Sequence, residues 1–231
     1  LGLAWFAAGL DPRYGIMLGT ALGAATEFHN SLFLLQLPVL LTAALLWLRG
    51  AAMINGLRTA VFSLALLLST VIFRLPSEPF RLGYSAYSLH SWFHLYVAGC
   101  TALVMAYFAR WPLSPRSLLV LLLLGLLLLA GMGQQLGSGM NFVTSDIAGW
   151  NNIAETENVF SYLHQHGMAS LVSVYTWLIL LLPVTVLWAV VRLFRSRDGG
   201  ELLLAVMIVI GSGLLLSQWR MHYFGSFALF L

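Results

Sequence analysis

The residues best placed to do chemistry in this sequence lie in one long polar segment, residues 134–167. It carries three carboxylates, Asp146, Glu155 and Glu157, and no lysine or arginine. Carboxylate oxygens are ligands that hard divalent cations prefer, and loops of this length are usually functional or disordered. We predict an outer loop that suits a cation or a positively charged group, with solvated loop charges as the alternative. His164 and His166, near its end, are interpreted as solvated loop residues.

Arg220 is the second candidate, because it stands between two apolar runs, within residues 217–223. A charge at the centre of a bilayer costs about 2.5–3.5 kcal/mol on insertion scales, so this arginine is expected at the membrane boundary or facing a cavity or partner. The fixed fork of guanidinium donors suits phosphate oxygens. The alternative interpretation is an arginine that snorkels to the interface.

A third group of candidates flanks the shorter polar segments. Glu27 and His29 close the apolar run 14–28. An acid within a membrane segment is a functional candidate by default, and a structural hydrogen bond between helices is an equal alternative. The polar segment 74–90 adds three further charges around Pro76 and Pro79, which are Arg74, Glu78 and Arg81.

His90 and His94 stand four residues apart at the start of another apolar run. On a helix this spacing places both side chains on one face, where they could bind a metal. The residues between them are Ser91, Trp92 and Phe93, so no His-Glu-x-x-His pattern is present. We therefore favour interface or core packing over metal binding.

Composition decides which elements position these residues. The chain of 231 residues is 60% hydrophobic and 8% charged, and its mean hydropathy is +0.90. These values place it in the membrane class. The net charge of +3 is small, and the charged residues lie mainly in short loops. Nucleic acid is therefore not an expected partner. The single cysteine, Cys100, lies in an apolar run and excludes an internal disulfide.

We predict an all-α fold, a polytopic transmembrane helix bundle of about seven spans, since a span needs about 20 apolar residues. Residues 1–10 and 221–231 are interpreted as pieces of an earlier and a later span, so residues 1–231 are expected to be part of one transmembrane domain of a longer protein. The candidate spans are 14–28, 31–48, 57–74, 91–110, 117–133, 168–192 and 202–217.

The arginines orient this bundle. All eleven basic residues are arginine, and eight of them fall on one side if the spans alternate. An excess of arginine marks the cytoplasmic face. The segments 29–31, 74–90 and 134–167 then face outward, and Arg220 lies at the same boundary.

Gly15, Gly19 and Gly23 recur every fourth residue in the run 14–28. This spacing puts the three glycines on one helix face, where two helices can approach closely. We predict a packing face without chemistry.

From Trp150 onward, the chain resembles the single-subunit oligosaccharyltransferases of bacteria and archaea, in the GT-C superfamily of membrane glycosyltransferases. Those enzymes carry a Thr-Ile-x-Glu type motif in their last long outer loop, and this chain has Asn152-Ile153-Ala154-Glu155. In the family a span, a short basic cytoplasmic turn, another span and an outer arginine follow. Here Arg220 stands at the matching place. Over residues 1–133 the likeness rests mainly on hydropathy.

The resemblance implies an enzyme that moves a glycan from a lipid-pyrophosphate carrier to an acceptor asparagine of a polypeptide. It would be integral to a bacterial inner or cell membrane, in contact with membrane lipid, with its active side facing the periplasm or exterior. Glu155 would support a site that contains Mg²⁺ or Mn²⁺ and helps to tether the acceptor. Arg220 would bind the pyrophosphate and stabilise charge as it departs. Asn152, Glu157 and His222 are expected to contribute to substrate binding.

The chain departs from the family pattern in several respects. It has no Asp-x-Asp sequence, so the catalytic aspartates are expected before Leu1. The soluble C-terminal domain with its Trp-Trp-Asp-Tyr-Gly motif has no counterpart, and Asn152 replaces the motif threonine. Gly167 stands where some members have an arginine that reads an acidic residue before the acceptor, so that preference is not expected. We expect the chain alone to be inactive.

Two other functions stay open. One is a different GT-C enzyme, which would use a polyprenyl-phosphate sugar donor and a lipid or O-linked acceptor. It would need the same acidic outer loop and anion-binding arginine. The other is a transporter or lipid flippase fragment, which repeated broken helices would favour. The sequence shows no internal repeat, although the short glycine-containing run 14–28 is compatible with it.

Overall fold

The computed structural model describes residues 1–51, 54–86, 88–133, 135, 159–175 and 177–217, and their regular structure is entirely helical. These residues form two compact units, one with the described residues up to 135 and residues 198–200, the other with the remainder. Three helices are long and apolar enough to cross a membrane, Gly56–Arg74, Trp92–Arg110 and Gly199–Leu216. They indicate a membrane protein, and the predicted all-α class is confirmed for the described residues.

Four helices of the first unit begin at an N-cap residue whose side chain bonds to the backbone. Asp11, Asn55, Ser91 and Ser114 each accept a hydrogen bond from a backbone N–H in the first turn of the helix that follows, which satisfies donors that the helix leaves unpaired. The helices are α1 (Gly2–Ala7), α2 (Pro12–Phe28), α3 (Gln36–Leu48), α4 (Gly56–Arg74), α5 (Glu78–Arg81), α6 (Trp92–Arg110) and α7 (Pro115–Gly131).

Two predicted spans, 57–74 and 91–110, coincide with α4 and α6 within one residue. The predicted span 31–48 is divided, because a 3-10 helix, Asn30–Leu35, precedes α3. Pro38 is the reason: it lacks the N–H that would bond to the carbonyl four residues earlier, and its ring crowds that carbonyl. The tighter 3-10 spacing replaces α-helical bonding upstream of it.

The second unit departs further from the predicted spans. It contains α8 (Val159–Tyr175), the 3-10 helix Trp177–Leu181, α9 (Leu182–Arg195) and, from Glu201 onward, α10 (Gly199–Ser217). The predicted span 168–192 is therefore not one continuous helix. Gly167 has a φ of 78° and interrupts α8, and Pro183 stands just after the 3-10 segment, as Pro38 does in the first unit.

The polar segment is predicted as a loop up to Gly167, but α8 begins at Val159, nine residues before the predicted span 168–192. His164 and His166 belong to this helix rather than to a loop, and both are exposed. The ring of His166 lies 4.5 Å from that of Tyr162, one turn away.

A helical hairpin follows in the second unit. The short turn 196–198 joins α9 to α10, and Arg192 pairs with Glu201 across it at 3.3 Å. Both helices contribute to one buried apolar cluster, together with α8 and the 3-10 helix. Its buried members are Val159, Leu171, Ile179, Leu182, Ala189, Ala205, Ile208 and Leu215.

The glycine face of α2 packs against α4, as the sequence predicts. A Cβ atom built on Gly19 would lie 2.5 Å from the carbonyl oxygen of Phe62 and 2.9 Å from the backbone nitrogen of Leu66. One built on Gly23 would lie 2.9 Å from the carbonyl oxygen of Leu66. The Ser69 side chain also faces Gly23, but the backbone contacts at both glycines cannot be relieved by moving a side chain.

We expect Gly19→Ala and Gly23→Ala each to lower the free energy of unfolding by about 1–3 kcal/mol, the usual cost of overpacking. Gly99→Ala in α6 and Gly125→Ala in α7 are matched controls, because a Cβ there meets nothing within 4 Å. Helix propensity predicts that alanine stabilises those sites by about 0.5–1 kcal/mol. Unfolding in mixed SDS micelles, followed by circular dichroism, measures all four. The same sign at all four positions would contradict the close approach of α2 and α4.

Candidate functional site

Polar side chains collect at one end of the first unit, where α2 and α4 finish and α6 starts. Glu27 is the last residue but one of α2, Arg74 is the last residue of α4, and His94 lies in the first turn of α6. The glycine contact fixes this arrangement, since it holds α2 and α4 side by side up to their ends. Three separate segments therefore meet in one polar cluster.

Arg74 is the centre of the cluster. Its Nη1 donates to Glu27 Oε1 at 2.6 Å and also to Nδ1 of His90. The Arg74 side chain is 0% exposed, whereas that of Glu27 is 32% exposed. A charge removed from water to this extent needs an opposite charge and hydrogen bonds. Glu27 supplies the negative charge, and the pair ties the ends of α2 and α4 together.

Several polar atoms in the cluster have no hydrogen-bond partner among the described residues. They are Nε and Nη2 of Arg74, Nδ1 of His94 and Oδ1 of Asn30, and all are buried. His94 uses its other ring nitrogen, Nε2, to donate to the Asn30 carbonyl at 3.2 Å, which leaves Nδ1 of a neutral ring as an acceptor. Buried polar groups are nearly always hydrogen-bonded. Ordered water, which both donates and accepts, matches this mixture of free donors and acceptors.

Two hydrogen bonds from side chains to backbone carbonyls fix the connection between α4 and α6. The Ser77 hydroxyl donates to the carbonyl of His90 at 2.6 Å, and Nδ2 of Asn30 donates to the carbonyl of Ser88 at 2.5 Å. These bonds link the segment before α5 and the segment after α2 to the same loop. His90 is thereby positioned with its ring 3.5 Å from the Glu27 carboxylate.

The predicted helical pair of His90 and His94 is wrong. Because α6 begins at Trp92 with Ser91 as its N-cap, His90 precedes the helix and shares no helical face with His94. Their side chains have different partners, Arg74 and Asn30. In the described ranges no three His, Cys, Asp or Glu side chains come together as a metal site.

Sequence reasoning marked Glu27 as a candidate but missed its partner. Arg74 was grouped with Glu78 and Arg81 as a loop charge, although both of those side chains are exposed and Arg74 is fully buried. The signal that could have identified it was the glycine face of α2. Because α4 packs against this glycine face, its last residue, Arg74, lies beside Glu27 near the end of α2.

The candidates of the long polar segment and the last apolar run lie outside the described residues. These are Asn152, Glu155, Glu157, Arg220 and His222. Comparison of the chain with protein-family models, curated proteins and solved structures finds no match. A functional proposal therefore rests on the residues of the chain itself.

Proposed function

We propose that this chain is part of a membrane oligosaccharyltransferase of the GT-C type. It would move a glycan from a lipid-pyrophosphate carrier to an acceptor asparagine on the outer membrane face. The observation that carries this proposal is an order of features: the motif Asn152-Ile153-Ala154-Glu155, a helical hairpin with an arginine-containing turn, and Arg220. The hairpin of α9 and α10, with Arg192 and Arg195 at its turn, supports the middle of that order.

The buried cluster of the second unit adds support. Val159 follows Glu155 by four residues, and Leu215 precedes Arg220 by five. Both apolar residues belong to the same buried cluster. The acidic motif and the arginine thus flank, in sequence, a segment whose two ends share one core.

The proposed roles follow from the chemistry of these side chains. Glu155 would ligate Mg²⁺ or Mn²⁺ through its carboxylate and support the acceptor site. Arg220 would bind the pyrophosphate of the donor with its paired N–H groups. It would also stabilise the negative charge that develops on the leaving group. Asn152, Glu157 and His222 would line the same site.

The first unit is consistent with an outer-facing site. Glu27 and Arg74 meet at one end of their helices, and Arg58 bonds to the carbonyl of Gly9 at the other end. The arginine excess at that other end favours the cytoplasmic side for it. The Glu27–Arg74 pair would then lie on the outer side, where the lipid-linked donor is used.

A second candidate function is transport of a lipid-linked or small substrate across the membrane. The favouring observation is a break that occurs in both units, since Leu37-Pro38-Val39 and Leu182-Pro183-Val184 each follow a 3-10 helix. Paired proline-interrupted helices mark the binding sites of many transporters.

Reconstitution of the full-length protein in liposomes separates these functions. Lipid-pyrophosphate oligosaccharide, Mn²⁺ and a fluorescent Asn-x-Thr peptide are added on one side, and the peptide is examined by gel mobility. A mobility shift supports the oligosaccharyltransferase. Movement of a labelled lipid between leaflets without modified peptide favours transport, and transfer from a polyprenyl-phosphate sugar alone favours a different GT-C enzyme.

A further inference from the structure

An open apolar groove runs between α4, α6 and α7, at the ends of these helices opposite the Glu27–Arg74 pair. Its volume is about 1100 Å³, slightly above the range of about 300–1,000 Å³ for ordinary ligand sites. Small side chains, Ala60, Ala102 and Ala106, form much of its wall. On the other side α7 packs loosely, with Ser117 as its buried residue.

Two arginines stand at the mouth of the groove. Arg110, at the end of α6, and Arg116, at the start of α7, both line it and are exposed. Neither side chain has a hydrogen bond or ion pair within the part of the chain that the structure describes. Guanidinium groups bind phosphate oxygens, and basic pockets between membrane helices bind the head groups of anionic lipids.

The length of the groove matches one leaflet of a bilayer. On α6 its lining extends from Arg110 to Ala102, and on α7 from Arg116 to Leu124. Each stretch covers about 12 Å at the helical rise of about 1.5 Å per residue. One leaflet contributes half of the hydrocarbon thickness of about 30 Å. An acyl chain anchored at the arginines would therefore follow the groove through most of its leaflet.

We propose that this groove binds one anionic phospholipid from the arginine-rich leaflet. Its phosphate would contact Arg110 and Arg116, and its acyl chain would lie on the alanines of α4 and α6. Ser63 lines the groove as well, and its buried hydroxyl has no partner among the described residues, so it offers a donor to an ester oxygen. The lipid would fill the space that α7 leaves open. The site is separate from the Glu27–Arg74 cluster and does not depend on the proposed function.

Native mass spectrometry of the chain released from nanodiscs tests the proposal. The nanodiscs contain equal amounts of phosphatidylglycerol and phosphatidylcholine. We expect wild type to retain one phosphatidylglycerol, and the double variant Arg110→Gln/Arg116→Gln to lose about tenfold or more of that occupancy, because each arginine near the surface contributes to binding anionic lipid. Ala106→Phe, which fills the groove without changing its charge, should show the same loss.

The matched control is Arg13→Gln/Arg81→Gln, which removes two exposed arginines that do not line the groove and should retain the lipid. Circular dichroism establishes that each variant is folded, and Ala60→Leu is a second groove-filling change. Equal retention by wild type and all variants would overturn the proposal. So would equal retention of phosphatidylcholine, or an experimental structure in which a segment of the protein itself fills the groove.

Discussion

Glu27→Ala is expected to lower the free energy of unfolding by about 3 kcal/mol, the low end of the range of about 3–5 kcal/mol for breaking a buried ion pair. The reason is the guanidinium of Arg74, which is 0% exposed and would lose its carboxylate partner. The low end applies because Glu27 itself is 32% exposed, so water can enter the space that its side chain leaves.

The opposite change should cost less. In Arg74→Met the unpaired charge is the Glu27 carboxylate, which is partly exposed to water. In Glu27→Ala the unpaired charge is the Arg74 guanidinium, which is fully buried. The double variant Glu27→Ala/Arg74→Met removes both charges, so it should recover much of the stability that Glu27→Ala loses. A double-mutant cycle in mixed SDS micelles measures the coupling between the two residues.

Glu78→Ala is the control for this series, since Glu78 is exposed and lies in α5 close to Arg74 in the sequence. Surface substitutions of this kind usually change stability by less than about 0.5 kcal/mol. If Glu27→Ala and Glu78→Ala have equal effects, the Glu27–Arg74 pair does not hold α2 and α4 together.

The second large effect concerns activity. In the full-length protein, Arg220→Ala is expected to reduce the rate of glycan transfer by about 10²–10³-fold, the effect of removing one donor from a preorganised charge-stabilising site. Glu155→Ala should cause a comparable loss. The residual activity should need more Mn²⁺, because the proposed metal site would lose one oxygen ligand.

Two controls make this series specific. Arg197→Ala removes an exposed arginine at the turn between α9 and α10, and Glu78→Ala removes an acid outside the proposed motif. Both should keep the wild-type rate. Equal losses in the controls and in the Arg220 and Glu155 variants would show a general effect on folding, and the roles proposed for these two residues would fail.

The helices that hydropathy alone determines could be predicted from the sequence. The runs 57–74 and 91–110 are long, apolar and bounded by Asn55 and Ser91, which cap α4 and α6. The run 168–192 is also apolar, but a hydropathy average does not include the loss of a backbone N–H at a proline, which interrupts helical hydrogen bonding. The 3-10 helix before Pro183 divides this run, and Gly167 breaks α8 one residue before the run starts.

The polar cluster was less accessible to sequence reasoning, because burial depends on long-range packing. Glu27 stood out as an acid in an apolar run, but the burial of Arg74 depends on contacts with Glu27 and His90, which are distant in sequence. Local sequence misled in one further case. His90 and His94 have helical spacing, yet Ser91 starts the helix between them, and a serine before an aromatic-rich run is a recognisable cap.

The most direct test of the proposed function is mass spectrometry of an acceptor peptide. Purified full-length protein is incubated with lipid-pyrophosphate oligosaccharide, Mn²⁺ and an Asn-x-Thr peptide, beside a matched Gln-x-Thr peptide. We predict that the mass of the glycan appears on the asparagine of the first peptide and is absent from the second. An unmodified Asn-x-Thr peptide at saturating donor and metal would contradict the assignment as an oligosaccharyltransferase.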